Sequence, residues 1–192
     1  MKILNLFYKK KSIYLTFLGG KKVDILNLKP DDINIIDISI SLSKICRFNG
    51  HCNAFYSVAE HSILCYEMAK KDGNTDKELL KAVFAHDFSE AYCGDIITPI
   101  KTYLGKKFSN IEKKITDAIS LKYNIKFDKY KDFVKYYDKK SLDYEMNLYK
   151  DKNAINYTDL TSAYFEIQEF LNIFNELFEN EKHTYNLPYK QT

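Results

Sequence analysis

This chain of 192 residues has no tryptophan, only 3 prolines and only 6 glycines. So few helix breakers favour a helical protein over a loop-rich β architecture. No apolar run reaches the roughly 20 residues that a membrane-spanning helix needs. The opening MKILNLFYKKK meets charge too early for a secretory signal. The 4 cysteines, Cys46, Cys52, Cys65 and Cys93, include no Cys-x-x-Cys pair, so each is expected as a small, reduced core residue in the cytoplasm. Strong charge is missing too. The net charge of +3 suits a small anionic substrate and is too weak to argue for a nucleic-acid or membrane surface. Tyrosine and phenylalanine are frequent, 16 and 13, and many tyrosines lie among lysines. Without an ordered stacking platform that mixture does not predict nucleic-acid binding.

The remaining pattern reads as one all-α domain over residues 1–192. A small N-terminal β-hairpin is expected over about 13–27, turning at Gly19-Gly20. A helical core follows over about 31–181, and a polar tail over 183–192. ISISLSKICRF predicts a first helix ending near Arg47. Three capping boxes then predict helix starts, at Ser57 with Glu60, Thr75 with Glu78 and Ser109 with Glu112. The first of these helices runs to about Lys71. The second continues through Phe88 and Ala91 to a stop at Gly94. The third buries Ile111, Ile115, Ile119 and Leu121. Another helix spans about 128–150, with Val134, Asp138, Leu142 and Glu145 on one side. An amphipathic helix over roughly 159–181 carries Leu160, Tyr164, Ile167, Leu171, Phe174 and Phe178.

Against this apolar background three titratable clusters stand out. They are His61 in SVAEHS, His86-Asp87 in FAHDFSEAYCGD and Asp138 in VKYYDKKSLDYE. Each falls on the inner side of an expected helix, where an imidazole or carboxylate is costly unless paired or bound to metal. Taken singly, each has an ordinary explanation: a hydrogen-bonded core histidine, or an aspartate paired with a nearby lysine. Together, two histidines and two aspartates from three helices predict a catalytic metal site with open positions for water. Consecutive helical residues diverge by about 100°, so His86 and Asp87 suit two corners of one coordination sphere. Glu90, four residues after His86 and three after Asp87, projects over the same cleft. There a carboxylate can accept a proton from an activated water.

These residues resemble the H…HD…D signature of the HD phosphohydrolase superfamily. CRFNGHCNAFYSVAEHS followed by FAHDFSEAYCGDIITPIK resembles, more closely, a subgroup of small stand-alone members. That subgroup includes bacterial 5′-deoxynucleotidases and phage dATP triphosphohydrolases. The resemblance covers roughly residues 15–150 and implies an HD-domain helical bundle. It implies metal ligation by His61, His86, Asp87 and Asp138, and handling of the attacking water by Glu90 and Asp95. It also implies a phosphate contact from Arg47 and, at Phe48, an aromatic beside the sugar where relatives often carry tryptophan. His51 and Lys101 are further candidates for phosphate contacts. No histidine lies between Asp87 and Asp138, where dinuclear relatives take more ligands. The expectation is therefore one divalent transition metal: cobalt, manganese or zinc.

The activity so implied is metal-dependent hydrolysis of the 5′-phosphate ester of a (deoxy)nucleotide. Either a 5′-deoxynucleotidase or a dNTP triphosphohydrolase of the dATP type would cut that bond. A catalytically silent HD domain that senses a nucleotide is the alternative, and the intact ligand set with Glu90 and Asp95 speaks against it. By resemblance a homo-oligomer is expected. Neither nucleic acid nor membrane is expected as a partner.

Overall fold

The structure, a computed structural model, describes residues 12–17, 20–149, 162–178 and 182–184. Strands β1 (Tyr14–Thr16) and β2 (Lys22–Asp24) pair antiparallel, with Leu15 opposite Val23. That is the expected hairpin, although its turn residues 18–19 lie outside the described part. All the other regular structure described is helical. The α-helices are α1 (Ile35–Leu42), α2 (Val58–Lys71), α3 (Lys77–Phe84), α4 (Glu90–Cys93), α5 (Thr98–Leu104), α6 (Lys106–Tyr123), α7 (Phe127–Tyr149) and α8 (Ser162–Phe178). The fold is an all-α bundle with a small hairpin at one end.

Helix α2 is the axis of the bundle and packs against α3, α7 and α8. It begins at the expected capping box: Glu60 N–H donates to Ser57 Oγ at 3.0 Å, and Ser57 N–H donates to Glu60 Oε2 at 2.7 Å. Such a cap contributes about 0.5–2 kcal/mol. Behind α2 and α3 lies an aromatic core of Tyr66, Phe84, Phe88 and Phe170, with ring centroids 4.6–5.9 Å apart. Phe84, Phe88 and Phe170 are fully buried, each contributing about 1.5–3 kcal/mol by leaving water. Ile167, Leu171, Phe174 and Phe178 of α8 point inward as expected. Leu160 lies outside the described residues, as does the tail beyond residue 184. His183 itself is tied back, its N–H donating to Asn175 Oδ1 at 3.0 Å.

Four expectations need correction. First, α1 stops at Leu42, well before Arg47. The hydroxyls of Ser39 and Ser43 donate to the carbonyls of Ile36 and Ile40, offering the backbone an alternative to helix. The chain then pairs with the start of α2 as a single bridge between Cys46 and Ser57. Second, the helix after Asn74 is capped by Asp76, not Thr75, and does not run to Gly94. It ends at Phe84, and residues 85–89 form a tight turn before α4. Here the His86 Nδ1 lies 2.8 Å from the Val83 carbonyl. Backbone bonds from Phe88 to Ala85 and from Glu90 to Asp87 step by three residues, in 3₁₀ fashion. Third, α6 begins at Lys106, so Ser109 is inside it and caps nothing; its hydroxyl donates to the Lys106 carbonyl. Fourth, Leu121 and Leu142 are exposed, whereas Ser141 and Glu145 are fully buried. The inner face of α7 runs through Tyr130, Tyr137, Ser141 and Glu145.

Candidate metal centre

Helix α2, the turn after α3 and helix α7 bring four side chains to one point. His61 Nε2 lies 3.2 Å from His86 Nε2, 3.4 Å from Asp87 Oδ2 and 3.5 Å from Asp138 Oδ1. His86 Nε2 is 3.2 Å from Asp87 Oδ2 and 3.9 Å from Asp138 Oδ1. Metal–ligand bonds of about 2.0–2.2 Å place neighbouring donors roughly 3–3.5 Å apart, so this spacing fits one ion. His61 is fully buried, while the Asp138 side chain is about half exposed (51%). Asp138 therefore marks the open side.

The outward ring nitrogens decide what the cluster wants. His61 Nδ1 lies 2.5 Å from Glu145 Oε1, a carboxylate that can only accept. His86 Nδ1 faces the Val83 carbonyl, another pure acceptor. Both rings therefore commit Nδ1 as donor and leave Nε2 to face the cluster. With the rings neutral, two lone pairs and two carboxylates meet there with no donor among them, and a metal ion, or a proton on Nε2 in its place, satisfies that arrangement. Proton affinities agree. Burial opposes a charged His86, yet the Asp87 carboxylate outweighs it and lifts the pKa to about 9. His61 is likewise raised against burial by Cys65, Asp138 and Glu145. Burial also opposes ionisation of Asp87, but His86, His61 and Arg47 hold its carboxyl far below the usual range.

Cys65 also approaches, and with His61 and His86 it forms a compact triad of possible donors. Its sulfur is 3.6 Å from His61 Nε2 and 4.0 Å from Nδ1. The sulfur is also 3.8 Å from the Tyr137 carbonyl oxygen and 3.2 Å from Ser141 Oγ. The aspartate oxygens, 3.4 and 3.5 Å from His61 Nε2, offer charged donors at slightly shorter range.

Arg47 is buried beside the cluster. A 3₁₀ turn over Arg47–Gly50 is anchored by the Arg47 N–H bond to the Tyr56 carbonyl, 2.8 Å. Phe48, Asn49 and Gly50 have φ of 56°, 51° and 76°. For a bulky residue such as Phe48, left-handed backbone costs about 1–2 kcal/mol, a strain typical of functional segments. The turn drives the guanidinium inward: Nη2 donates to Glu145 Oε2 at 3.0 Å and Nη1 sits 3.8 Å from Asp87. Nε has no acceptor among the described residues. The Phe48 ring lies 5.3 Å from the guanidinium carbon. His51 is exposed at the end of the turn.

Glu90, at the start of α4, is only 4% exposed. Burial, with Asp87 and Asp95 nearby, raises its pKa to about 8 despite Lys101. Oε1 accepts from Lys101 at 3.2 Å, and Oε2 has no partner among the described residues. Burial and Asp87 raise the Asp95 carboxyl too, against Arg47 and Lys101. The Lys101 ammonium is held by Glu90 and, at 2.9 Å, by Glu112. A cavity of about 340 Å³ opens from His86 and Asp87 along α6, lined among others by Ser89, Glu112, Thr116 and Asp117. That is the size of a small ligand pocket.

All ten residues singled out in the sequence are thus located. His61, His86, Asp87, Asp138 and Arg47 converge, Glu90 and Asp95 adjoin them, Lys101 is bound up in ion pairs and His51 stays at the surface. Sequence reasoning assigned no role to Glu145. It lies seven residues after Asp138, and the burial argument used for His61 would have found it.

Residues 43–190 match the family described as 5′-deoxynucleotidase YfbR-like, an interval that contains every one of these side chains. The chain is 38% identical over 112 residues to the uncharacterized protein YfdR of Escherichia coli (strain K12), covering 58% of this chain and 59% of that protein. It is 34% identical over 118 residues to an uncharacterized protein of Rhodobacter capsulatus, covering 60% of each. The matches therefore span about three fifths of the length of these relatives.

Proposed function

Since this chain belongs to the YfbR-like 5′-deoxynucleotidase family, we propose that it is a divalent-metal-dependent phosphohydrolase that cleaves the 5′-phosphate ester of deoxynucleotides. We assign the metal to His61, His86, Asp87 and Asp138. The observation that carries this reading is the convergence of four acceptor atoms with both histidine Nδ1 positions committed elsewhere. When bound, a divalent ion there supplies Lewis acidity, making water more acidic and drawing charge from a phosphoryl oxygen.

The remaining work falls to this chain's own side chains. Arg47 offers Nε–H to a phosphate oxygen from a buried, preorganised position, and such donors are worth most where water is excluded. Glu90, with a pKa near 8, is matched to taking a proton from water near neutral pH. Its ion pair with Lys101 holds the carboxylate in place. Asp95 handles the second proton, on the departing 5′-oxygen. Phe48 stacks beside Arg47 and borders the sugar.

Between the two substrate classes, the monophosphate is favoured by charge. Lys101 is consumed by Glu90 and Glu112. The cavity leading from the cluster carries Glu112, Asp117 and Asp128 against Lys113, which itself pairs with Asp117 at 2.7 Å. A chain of three phosphates directed along that cavity would meet net negative charge. Purified protein with Mn²⁺, Co²⁺ or Zn²⁺ and a panel of dNMPs and dNTPs tests this. Inorganic phosphate released from dNMPs is the expected product. Triphosphate released from dNTPs would replace this reading with the triphosphohydrolase, and no hydrolysis by the metal-loaded protein would end the enzyme assignment.

A further inference from the structure

Glu145 is fully buried near the C-terminal end of α7, the longest of the described helices, and a buried carboxylate is unfavourable unless every lone pair is used. It meets three donors from three separate segments. Oε1 lies 2.5 Å from His61 Nδ1 and accepts from the Tyr56 hydroxyl at 2.9 Å, while Oε2 accepts from Arg47 Nη2 at 3.0 Å. None of these partners is near it in sequence; they lie 84, 89 and 98 residues away. Against burial, those contacts hold its carboxyl below the ordinary range.

Two of the three partners belong to different tasks in the reading above. His61 faces the metal through its other nitrogen, and Arg47 faces the phosphate through Nε. We propose that Glu145 is the positioning residue that couples the two. It fixes the hydrogen on His61 Nδ1 so that Nε2 presents its lone pair, and it holds one arm of Arg47 so that the guanidinium edge stays beside Asp87. Metal affinity and phosphate affinity then depend on one carboxylate. The inference rests on the assignment of His61 and Arg47 made above.

Chemistry suggests the discriminating variant. In Glu145→Gln, the amide oxygen can still accept from His61, but the amide nitrogen turns a donor toward Arg47 Nη2, so one partner is met at the expense of the other. Glu145→Asp keeps the charge on a shorter stem. Mn²⁺ binding is measured by calorimetry on metal-stripped protein, and inorganic phosphate is measured as an inhibitor of the Mn²⁺-loaded enzyme. The expected result for Glu145→Gln is a 10–100-fold weaker Mn²⁺ affinity, the usual effect of losing an outer-shell partner, together with at least tenfold weaker phosphate inhibition. Glu145→Asp is expected to recover part of both. Arg47→Met should cost phosphate binding much less in the Glu145→Gln background than in the wild type, because both changes break one network.

A folded Glu145→Gln protein with wild-type Mn²⁺ and phosphate affinities overturns the proposal, and so do strictly multiplicative effects with Arg47→Met. The wild-type protein supplies a measurement that no folding defect can spoil. In the Zn²⁺-loaded form, nitrogen-15 shifts must show His61 protonated at Nδ1, with a low-field, exchange-protected proton. A rapidly exchanging Nδ1 proton would overturn the proposal. Absence of any Mn²⁺ binding by the wild type would instead overturn the metal assignment, a distinct failure.

Discussion

Replacing Glu90 by glutamine should make the protein more stable and less active, and the two effects should follow different pH curves. Glu90 is 4% exposed, and its pKa rises from 4.5 to about 8 through burial and the nearby Asp87 and Asp95 carboxylates. At 1.36 kcal/mol per pH unit, its ionised form is about 3–5 kcal/mol less favourable in the folded chain than in the unfolded one. Because the folded state holds this proton more tightly, the associated stability is complete below about pH 4.5. It declines as pH rises toward 8 and is flat above that. Glutamine resembles the neutral acid and never ionises. In chelator-treated protein the melting temperatures of Glu90→Gln and wild type should therefore converge near pH 4.5. By pH 8–9 the variant should lead by on the order of 10 °C, at roughly 2–4 °C per kcal/mol for a chain of this size. Hydrolysis by the metal-loaded variant should fall 10²–10⁴-fold, the usual loss for a general base. The acid limb of the wild-type pH–rate profile should vanish with it. A variant that keeps activity within tenfold and the same acid limb, or a melting difference that ignores pH, would refute the reasoning.

Asp138→Ala should lose stoichiometric Mn²⁺ in calorimetry, whereas Cys65→Ala should retain it, because the thiol is engaged by Ser141 Oγ and the Tyr137 carbonyl; the opposite pattern would make Cys65 the donor. Glu60 has its pKa raised to about 7 by burial and by Glu166 and Glu169, and a glutamine there keeps an oxygen for the Ser57 N–H. Glu60→Gln should thus stabilise by about 1–2 kcal/mol at pH 8, after allowance for partial exposure, and by nothing near pH 4.5, as read from urea midpoints. Phe84→Ala removes the centre of the aromatic core and should cost about 3–5 kcal/mol in the same assay. Residual activity below the unfolding transition should have an unchanged pH profile.

Much of this site was legible because buried titratable side chains violate hydrophobic patterning. His61 follows a capping box whose geometry the sequence states outright, and its place on an apolar stripe demanded a partner. Asp138 was readable from the resemblance and not from burial, since its side chain is half exposed and the inner face of α7 runs beside it. What escaped depends on contacts that no local pattern encodes. The break after Phe84 arises because the His86 side chain takes the Val83 carbonyl, which helical spacing cannot show. The end of α1 is set by serine hydroxyls and by a bridge to Ser57. Arg47 is picked out by the family resemblance, but its buried partner Glu145, 98 residues later, is not. Ser109 with Glu112 satisfies the capping pattern by spacing alone, but Gly105 had already started the helix.

The length of that Arg47–Glu145 link also says something about the order of assembly. A nascent chain that has produced α2 and the turn after α3 already holds both histidines and Asp87, yet it has neither the carboxylate that orients His61 nor Asp138. Both arrive on α7. Long-range closure of this kind is slow compared with helix formation, so the bundle can gain most of its helices before the centre exists. With the proposed ligand set, binding competence becomes a late event in biogenesis, and uptake of the ion would report that α7 has docked. A translation product stalled after α6 would be helical and still unable to retain an ion, which separates acquiring shape from acquiring chemistry.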